Sequence, residues 1–407
     1  MKNALYPIPT LVTQTGTTAK AKQEQGTLQT YRNAHLVWEN GTILAVGEGP
    51  IPPMHRDAVV SEPNGRLVTA GLVDCHTHLV FGGWRDGEFR DKLHGVPYLT
   101  ILERGGGILS TVKATKEASE DELYEKAEAL LLEALSHGTT AMELKSGYGL
   151  DLETERKQLL VAKRLGERHP NLVSTFLGAH AFPPNGSREE YLTLLTEQMI
   201  PAVAQEGLAE FCDVFCDRGV FTAEEAERIL ISAAQAGLLL KLHADEIDRI
   251  GGTEVAARLG AISADHLSET DAEGRRHLKD GGVIAVMLPA TSFYLNKPYG
   301  NFRAMIDEGI PVAVATDFNP GSTPNLSLPF AMTVACLYGR LTPEEALTAA
   351  TLNGAAAIGL SDVLGTLEVG KQADFVEWDA NTLYELLYRY GTNRAVKVYR
   401  KGELVCG

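Results

Sequence analysis

The chain is short of cysteine and of basic residues, and each shortage excludes something. Five cysteines, Cys75, Cys212, Cys216, Cys336 and Cys406, are spread over 407 residues. An odd, scattered set is no disulfide framework and suits a reducing cytoplasm. Cys212 and Cys216 read as small core residues rather than metal ligands. Lysine and arginine total 37 against 53 aspartates and glutamates, a net charge of −16. With no basic stripe or arm, nucleic acid and anionic membrane surfaces are not expected partners. No apolar run reaches the roughly 18–20 residues needed to span a bilayer. The opening Met1-Lys2-Asn3-Ala4-Leu5 has no basic-then-apolar leader pattern, so a cytoplasmic protein is expected. What remains, 44% hydrophobic and 22% charged residues, is the composition of a globular chain.

From Leu72 onward, β-rich apolar runs alternate with amphipathic helical patterns. The strand candidates are residues 72–78, 139–144, 172–179, 209–216, 238–244, 261–266, 283–288 and 311–316. The helices between them have readable ends. Ser119 with Glu122, and Thr222 with Glu225, have capping-box spacing, and Thr342-Pro343 adds proline at the first helical position. Eight strand–helix units predict a (β/α)8 barrel over residues 69–361. An open doubly wound sheet is the alternative, but no Gly-x-Gly-x-x-Gly follows the first strand. Gly105-Gly106-Gly107 follows Glu103-Arg104 and reads as a loop. Residues 1–68 and 362–407 carry short strand-like runs broken by Gly, Pro and Asn. They are expected to pair into one small composite β-sandwich domain beside the barrel.

Barrel chemistry sits at the carboxyl ends of strands, so those ends are read in order. Strand one ends in His76 and His78, spaced to face the same way in an extended chain. Strand three ends in His180, strand five in His243 with Glu246 close behind, strand six in His266 and strand eight in Asp317. His76, His78, His243 and Asp317 make three imidazoles and a carboxylate. That set suits one Zn²⁺ or Fe²⁺ ion and leaves a position for water, whose pKa the metal lowers from about 15.7 towards about 7. Asp317 is then placed to take a proton from the water, Glu246 to pass one to a substrate nitrogen, and His266 to orient the attacked carbonyl.

This pattern resembles the amidohydrolase superfamily, metal-dependent hydrolases on a deformed (β/α)8 barrel with a split β-sandwich. Binuclear members carry a carboxylated lysine at the end of strand four. Here that strand ends Val214-Phe215-Cys216-Asp217-Arg218, and Lys241 lies inside strand five, so the resemblance is to a mononuclear member. Longer stretches are similar to the imidazolonepropionase family: Asp74 to Gly83 with Arg85 following, Gly105 to Ile108, Glu143 to Leu150, His243 to Glu246, and Asp317 to Gly321. The resemblance implies hydrolysis of the ring amide of 4-imidazolone-5-propanoate to N-formimidoyl-L-glutamate, in histidine degradation. It also implies substrate contacts at Arg85, Tyr98, Tyr148, His180, Glu246, Asn319, Gly321 and Ser322, and a homodimer. Arg85 supplies the local cation that an acidic chain needs for a carboxylate substrate. The competing readings are a nucleobase deaminase of the same superfamily, whose substrate lacks that carboxylate, and a non-catalytic barrel.

Overall fold

The computed structural model describes residues 1–96 and 106–407. Five strands come first: β1 (Lys2–Thr13), β2 (Gln29–Glu39), β3 (Thr42–Glu48), β4 (Val59–Ser61) and β5 (Leu67–Ala70). The barrel strands follow: β6 (Leu72–Asp74), β7 (Thr139–Lys145), β8 (Leu172–Ala179), β9 (Phe211–Cys216), β10 (Leu239–Ala244), β11 (Ser263–His266), β12 (Ile284–Met287) and β13 (Val312–Val314). Three more, β14 (Phe375–Trp378), β15 (Ala395–Arg400) and β16 (Glu403–Cys406), close the chain.

Strands β6 to β13 pair in sequence order, each parallel to the next. Helices cross between them, as parallel pairing requires. Their starts are the ones the sequence marks: Ser119, Thr222 and Thr342 each accept from the backbone N–H three residues on, with the glutamate reaching back. In the helix Glu120–Ser136 the buried face includes Leu123, Ala127, Leu130, Leu131, Ala134 and Leu135.

The first strand is shorter than expected. It ends at Asp74, and the segment 75–78 runs on without a ladder, with Thr77 in an isolated bridge to Phe318. Single bonds hold it on both sides. Lys145 N–H donates to the Thr77 carbonyl at 2.9 Å. On the other side Asp317 N–H donates to His76 at 3.1 Å and His78 N–H to Phe318 at 2.8 Å. Asp74 ties the same seam, accepting from the Thr316 N–H at 3.0 Å and its hydroxyl at 2.6 Å. The barrel is therefore closed by the segments that carry the predicted metal ligands.

Strands from both termini share one sheet, in the order β16-β15-β14-β5-β1-β2-β3, with β4 on β1. β14 from the C-terminal segment lies antiparallel to β5 from the N-terminal one. Trp378 of β14 is fully buried, donates to Thr69 Oγ1 at 2.9 Å, and belongs to the apolar core that continues into the barrel. A Cβ on Gly138 would lie 2.6 Å from its ring, which is why a glycine precedes β7. No helix among the described residues is long and apolar enough to cross a membrane.

Candidate active site

Four histidines and an aspartate converge at the carboxyl ends of the barrel strands. One ligand atom each from His76, His78 and His243 lies within 4.8 Å of the others, and the same holds for His76, His266 and Asp317. Asp317 Oδ1 is 3.5 Å from Nε2 of His76 and 3.6 Å from Nε2 of His78. Its Oδ2 accepts from the Thr291 hydroxyl at 2.6 Å. The ring centroids of His76 and His243 are 4.5 Å apart, those of His243 and His266 5.1 Å. His266 is thus as close to the cluster as the residues read as ligands.

The far sides of two imidazoles meet carboxylates. Nδ1 of His76 lies 2.6 Å from Asp265 Oδ2, and Nδ1 of His243 makes an ionic contact with Asp213 Oδ2 at 2.9 Å. A carboxylate behind a histidine fixes the ring so that the other nitrogen faces forward, as metal-ligating histidines require. The forward Nε2 atoms of His76 and His243 are buried and meet no hydrogen-bond partner among the described residues. An orphaned buried acceptor is costly unless something fills it. Burial, with Lys145 adding to it, holds His76 well below the ordinary imidazole pKa. Burial and neighbouring His180 do the same for His78. Burial also lowers His243, but Asp213 outweighs it and the net shift is upward. His76 and His78, buried and held uncharged beside a carboxylate, fit a divalent cation, which His243 joins as a neutral ligand.

Two of these residues sit in strained backbone. His266 has φ +75° and Asp317 φ +53°, left-handed values that side chains other than glycine rarely adopt. Asp245, two residues after His243, does the same at φ +52°.

The predicted substrate residues surround this cluster. His180 stacks on His78 with centroids 5.0 Å apart and planes 13° apart. Its Nδ1 faces the Gly147 carbonyl at 3.0 Å, and burial, then His243, pushes its pKa down to about 3. Tyr148 is buried, 5.4 Å from the His180 ring. Glu246 Oε2 lies 3.8 Å from His266 Nδ1. Asp217 carries the Glu246 loop, accepting from the N–H groups of Glu246, Ile247 and Asp248 at 2.8–3.0 Å.

Arg85 packs against Gly321; a Cβ there would fall 1.4 Å from the guanidinium Nη2. Its Nε is buried and has no hydrogen-bond partner among the described residues. Lys92 Nζ donates to the Gly321 carbonyl at 2.5 Å, placing a second cation beside it. Asn319 spends its side chain on its own turn, accepting from Gly321 and Ser322 N–H at 2.8 and 2.7 Å and donating to Ser322 Oγ at 2.8 Å. It shapes the pocket edge rather than offering free donors. Tyr98 lies outside the described residues.

The supporting layer was not read from the sequence. Asp213, Asp265, Lys145, Glu143 and Lys241 form one buried charge cluster below the imidazoles. A usable signal was present: acids and lysines inside β-rich apolar runs are almost never buried unpaired.

A parallel barrel with histidines and an aspartate gathered on its carboxyl face, beside a sheet built from both termini, defines a metal-dependent hydrolase of the amidohydrolase type. The Amidohydrolase family pattern matches residues 217–405. An imidazolonepropionase from Geobacillus kaustophilus (strain HTA426) is 49% identical over 407 residues, covering 97% of this chain and 96% of the relative. One from Geobacillus thermodenitrificans (strain NG80-2) is 49% identical over 406 residues, with 97% and 96% covered. The chain belongs to the imidazolonepropionase family. The guanine deaminase of C. acetobutylicum, with guanine bound in its active site, superposes with a TM-score of 0.72. It covers 99% of this chain and 100% of its own at 16% identity, a likeness of fold alone.

Proposed function

We propose that the site opens the ring amide of 4-imidazolone-5-propanoate by hydrolysis, giving N-formimidoyl-L-glutamate, with one Zn²⁺ or Fe²⁺ held by His76, His78, His243 and Asp317. The observation that carries this is the gathering of His76, His78 and His243, with Asp317 against His76 and His78, while Arg85 lies against Gly321 just past Asp317. When bound, a metal there supplies Lewis acidity and a water of lowered pKa. Every other role belongs to side chains. Arg85 forks onto the propanoate carboxylate, with Lys92 raising the local positive potential. Tyr148 and His180 hold the ring. Asp317 accepts a proton from the attacking water. His266 donates to the carbonyl oxygen as negative charge develops there. Glu246 returns a proton to the ring nitrogen as the C–N bond breaks.

The same reading takes residues 1–68 with 362–407 as one unit and 69–361 as the other, and the assembled protein as a cytoplasmic homodimer without nucleic-acid or membrane partners. Mass measured in solution by light scattering tests the dimer.

The test of function is an assay of imidazolone propanoate, generated in place, against guanine, cytosine and adenosine, with metal analysis of the same preparation. The expected result is about one metal ion per chain and turnover of the imidazolone alone. Full activity after chelation, or turnover of a nucleobase in its place, overturns the reading. A deaminase is disfavoured because Arg85 and Lys92 have no anionic partner on a nucleobase.

A further inference from the structure

Lys145 ends β7 beneath the imidazoles, and its side chain is fully buried. Its Nζ lies 2.7 Å from Asp213 Oδ2, 3.0 Å from Glu143 Oε1 and 3.7 Å from Asp265 Oδ2. Two of those oxygens are already engaged. Asp213 Oδ2 is the atom facing Nδ1 of His243, and Asp265 Oδ2 is the atom facing Nδ1 of His76. One ammonium thus reaches both carboxylates that orient two of the proposed metal imidazoles. We propose that Lys145 is a positioning residue of the metal centre, a single cation that sets His76 and His243 together through Asp265 and Asp213. The inference rests on the reading of those histidines as ligands.

The second buried lysine does not duplicate it. Lys241 Nζ binds Glu143 Oε2 at 2.7 Å and the Cys75 carbonyl at 3.1 Å, so it anchors the glutamate and the first strand. Glu143 lies between the two ammoniums. The cluster therefore holds three carboxylates against two lysines, a formal charge of 2 − 3 = −1 facing the cation site. Without Lys145, Asp213 loses the ammonium 2.7 Å away, and Asp265 is left with Lys241 as its nearby cation. Each carboxylate is then free to turn away, and an imidazole loses the oxygen that orients it. Lys145 is no candidate for proton transfer to substrate, because it lies under the histidines with its donors spent on carboxylates.

The experiment compares wild type, Lys145→Met, and the double variant Lys145→Met with Glu143→Gln. The double variant keeps both aspartates and restores the formal charge: one lysine against two carboxylates. Metal-free protein is titrated with Co²⁺, reading the visible bands and the affinity against a competing chelator. Thermal melts of the metal-free proteins report folding, and the double variant carries the test if the single one does not fold. The expected result is binding weakened roughly ten- to a hundredfold in both variants, the usual scale for losing an outer-shell partner, with shifted Co²⁺ bands. Wild-type affinity or unshifted bands in the charge-balanced variant overturn the proposal, since Lys145 then acts only through its charge. Wild type that binds no Co²⁺ overturns the metal reading itself, and this inference with it.

Discussion

The backbone N–H of Asp317 donates to the carbonyl of His76 at 3.1 Å, across the seam between the last barrel strand and the first. Two proposed ligands 241 residues apart (317 − 76) are thereby joined without a side chain. Asp74 reinforces the seam by accepting twice from Thr316. Replacing Thr316 by Val removes the hydroxyl donor and leaves a buried Asp74 oxygen unsatisfied, at a cost of about 1–3 kcal/mol. Urea denaturation should show that loss together with weaker metal retention. A variant as stable as wild type would mean that the seam is held elsewhere.

Arg85→Met should raise KM with little change in kcat. The guanidinium lies against Gly321, and its Nε has no hydrogen-bond partner among the described residues, so its charge is available to a ligand carboxylate. Losing charged hydrogen bonds costs roughly 1.5–3 kcal/mol, about ten- to a hundredfold in KM. Lys92 remains and softens the loss. An unchanged KM would remove Arg85 from the carboxylate.

Glu155 carries the turn that presents Tyr148. Its fully buried carboxylate accepts from the N–H groups of Gly147, Gly149 and Leu150 at 2.9, 2.6 and 3.0 Å, and Gln158 accepts from Tyr148 itself at 3.1 Å. Gly147 is required there, since φ is +114° and a Cβ would lie 2.7 Å from His180 Nδ1. Glu155→Gln replaces one acceptor oxygen by a donor amide. The expected loss is about 2–4 kcal/mol of stability, from one or two buried N–H groups left without a partner. KM should rise as well, because the turn also fixes His180. Calorimetry and steady-state kinetics on the same preparation check both.

The barrel and its metal face were legible because they depend on local pattern. Strand and helix periodicity gave eight units, and helix caps at Ser119, Thr222 and Thr342 follow from nearest-neighbour chemistry. Histidines at strand ends needed only the rule that a barrel gathers those ends. The layer below was hidden because its pairings are long-range. Lys145 and Asp213 are separated by 68 positions, and His76 and Asp265 by 189. No periodicity links such residues. The end of β6 at Asp74 was missed for a related reason: residues 75–78 leave the ladder and are held by scattered bonds to Lys145, Glu143, Asp317 and Phe318. Strained backbone at His266 and Asp317 leaves no compositional trace.

The cysteines make a test of the core. Cys75, Cys212 and Cys216 are fully buried, and all five are free thiols. Burial pushes Cys216 and Cys336 up to about 12, and Cys75 and Cys212 higher still. The thiolate is the reactive form, so raised values mean almost none at neutral pH. Alkylation at pH 8 should label Cys406 first, with Cys212 and Cys216 modified only on unfolding. Raising the pH to 10 should not hasten those two. Peptide mapping reads the order, and early labelling of Cys212 would contradict the packing of β9.

Glu246→Gln separates binding from proton transfer. The carboxylate stands 3.8 Å from His266 Nδ1, on a loop held by three bonds to Asp217. It is partly exposed toward the cavity it shares with His266, Ser268 and Thr291. The amide keeps the size of the side chain and its hydrogen bonding but carries no transferable proton. kcat should fall by roughly a hundred- to ten-thousandfold, the span of general acid–base catalysis, while metal content and KM stay near wild type. A loss of metal alongside activity would place Glu246 in the support of His243 instead. Retention of kcat would hand the proton to another titratable group lining that cavity, His266 or Lys297. Glu246→Asp, shorter by one methylene, should recover part of the rate if a carboxylate is what the step requires.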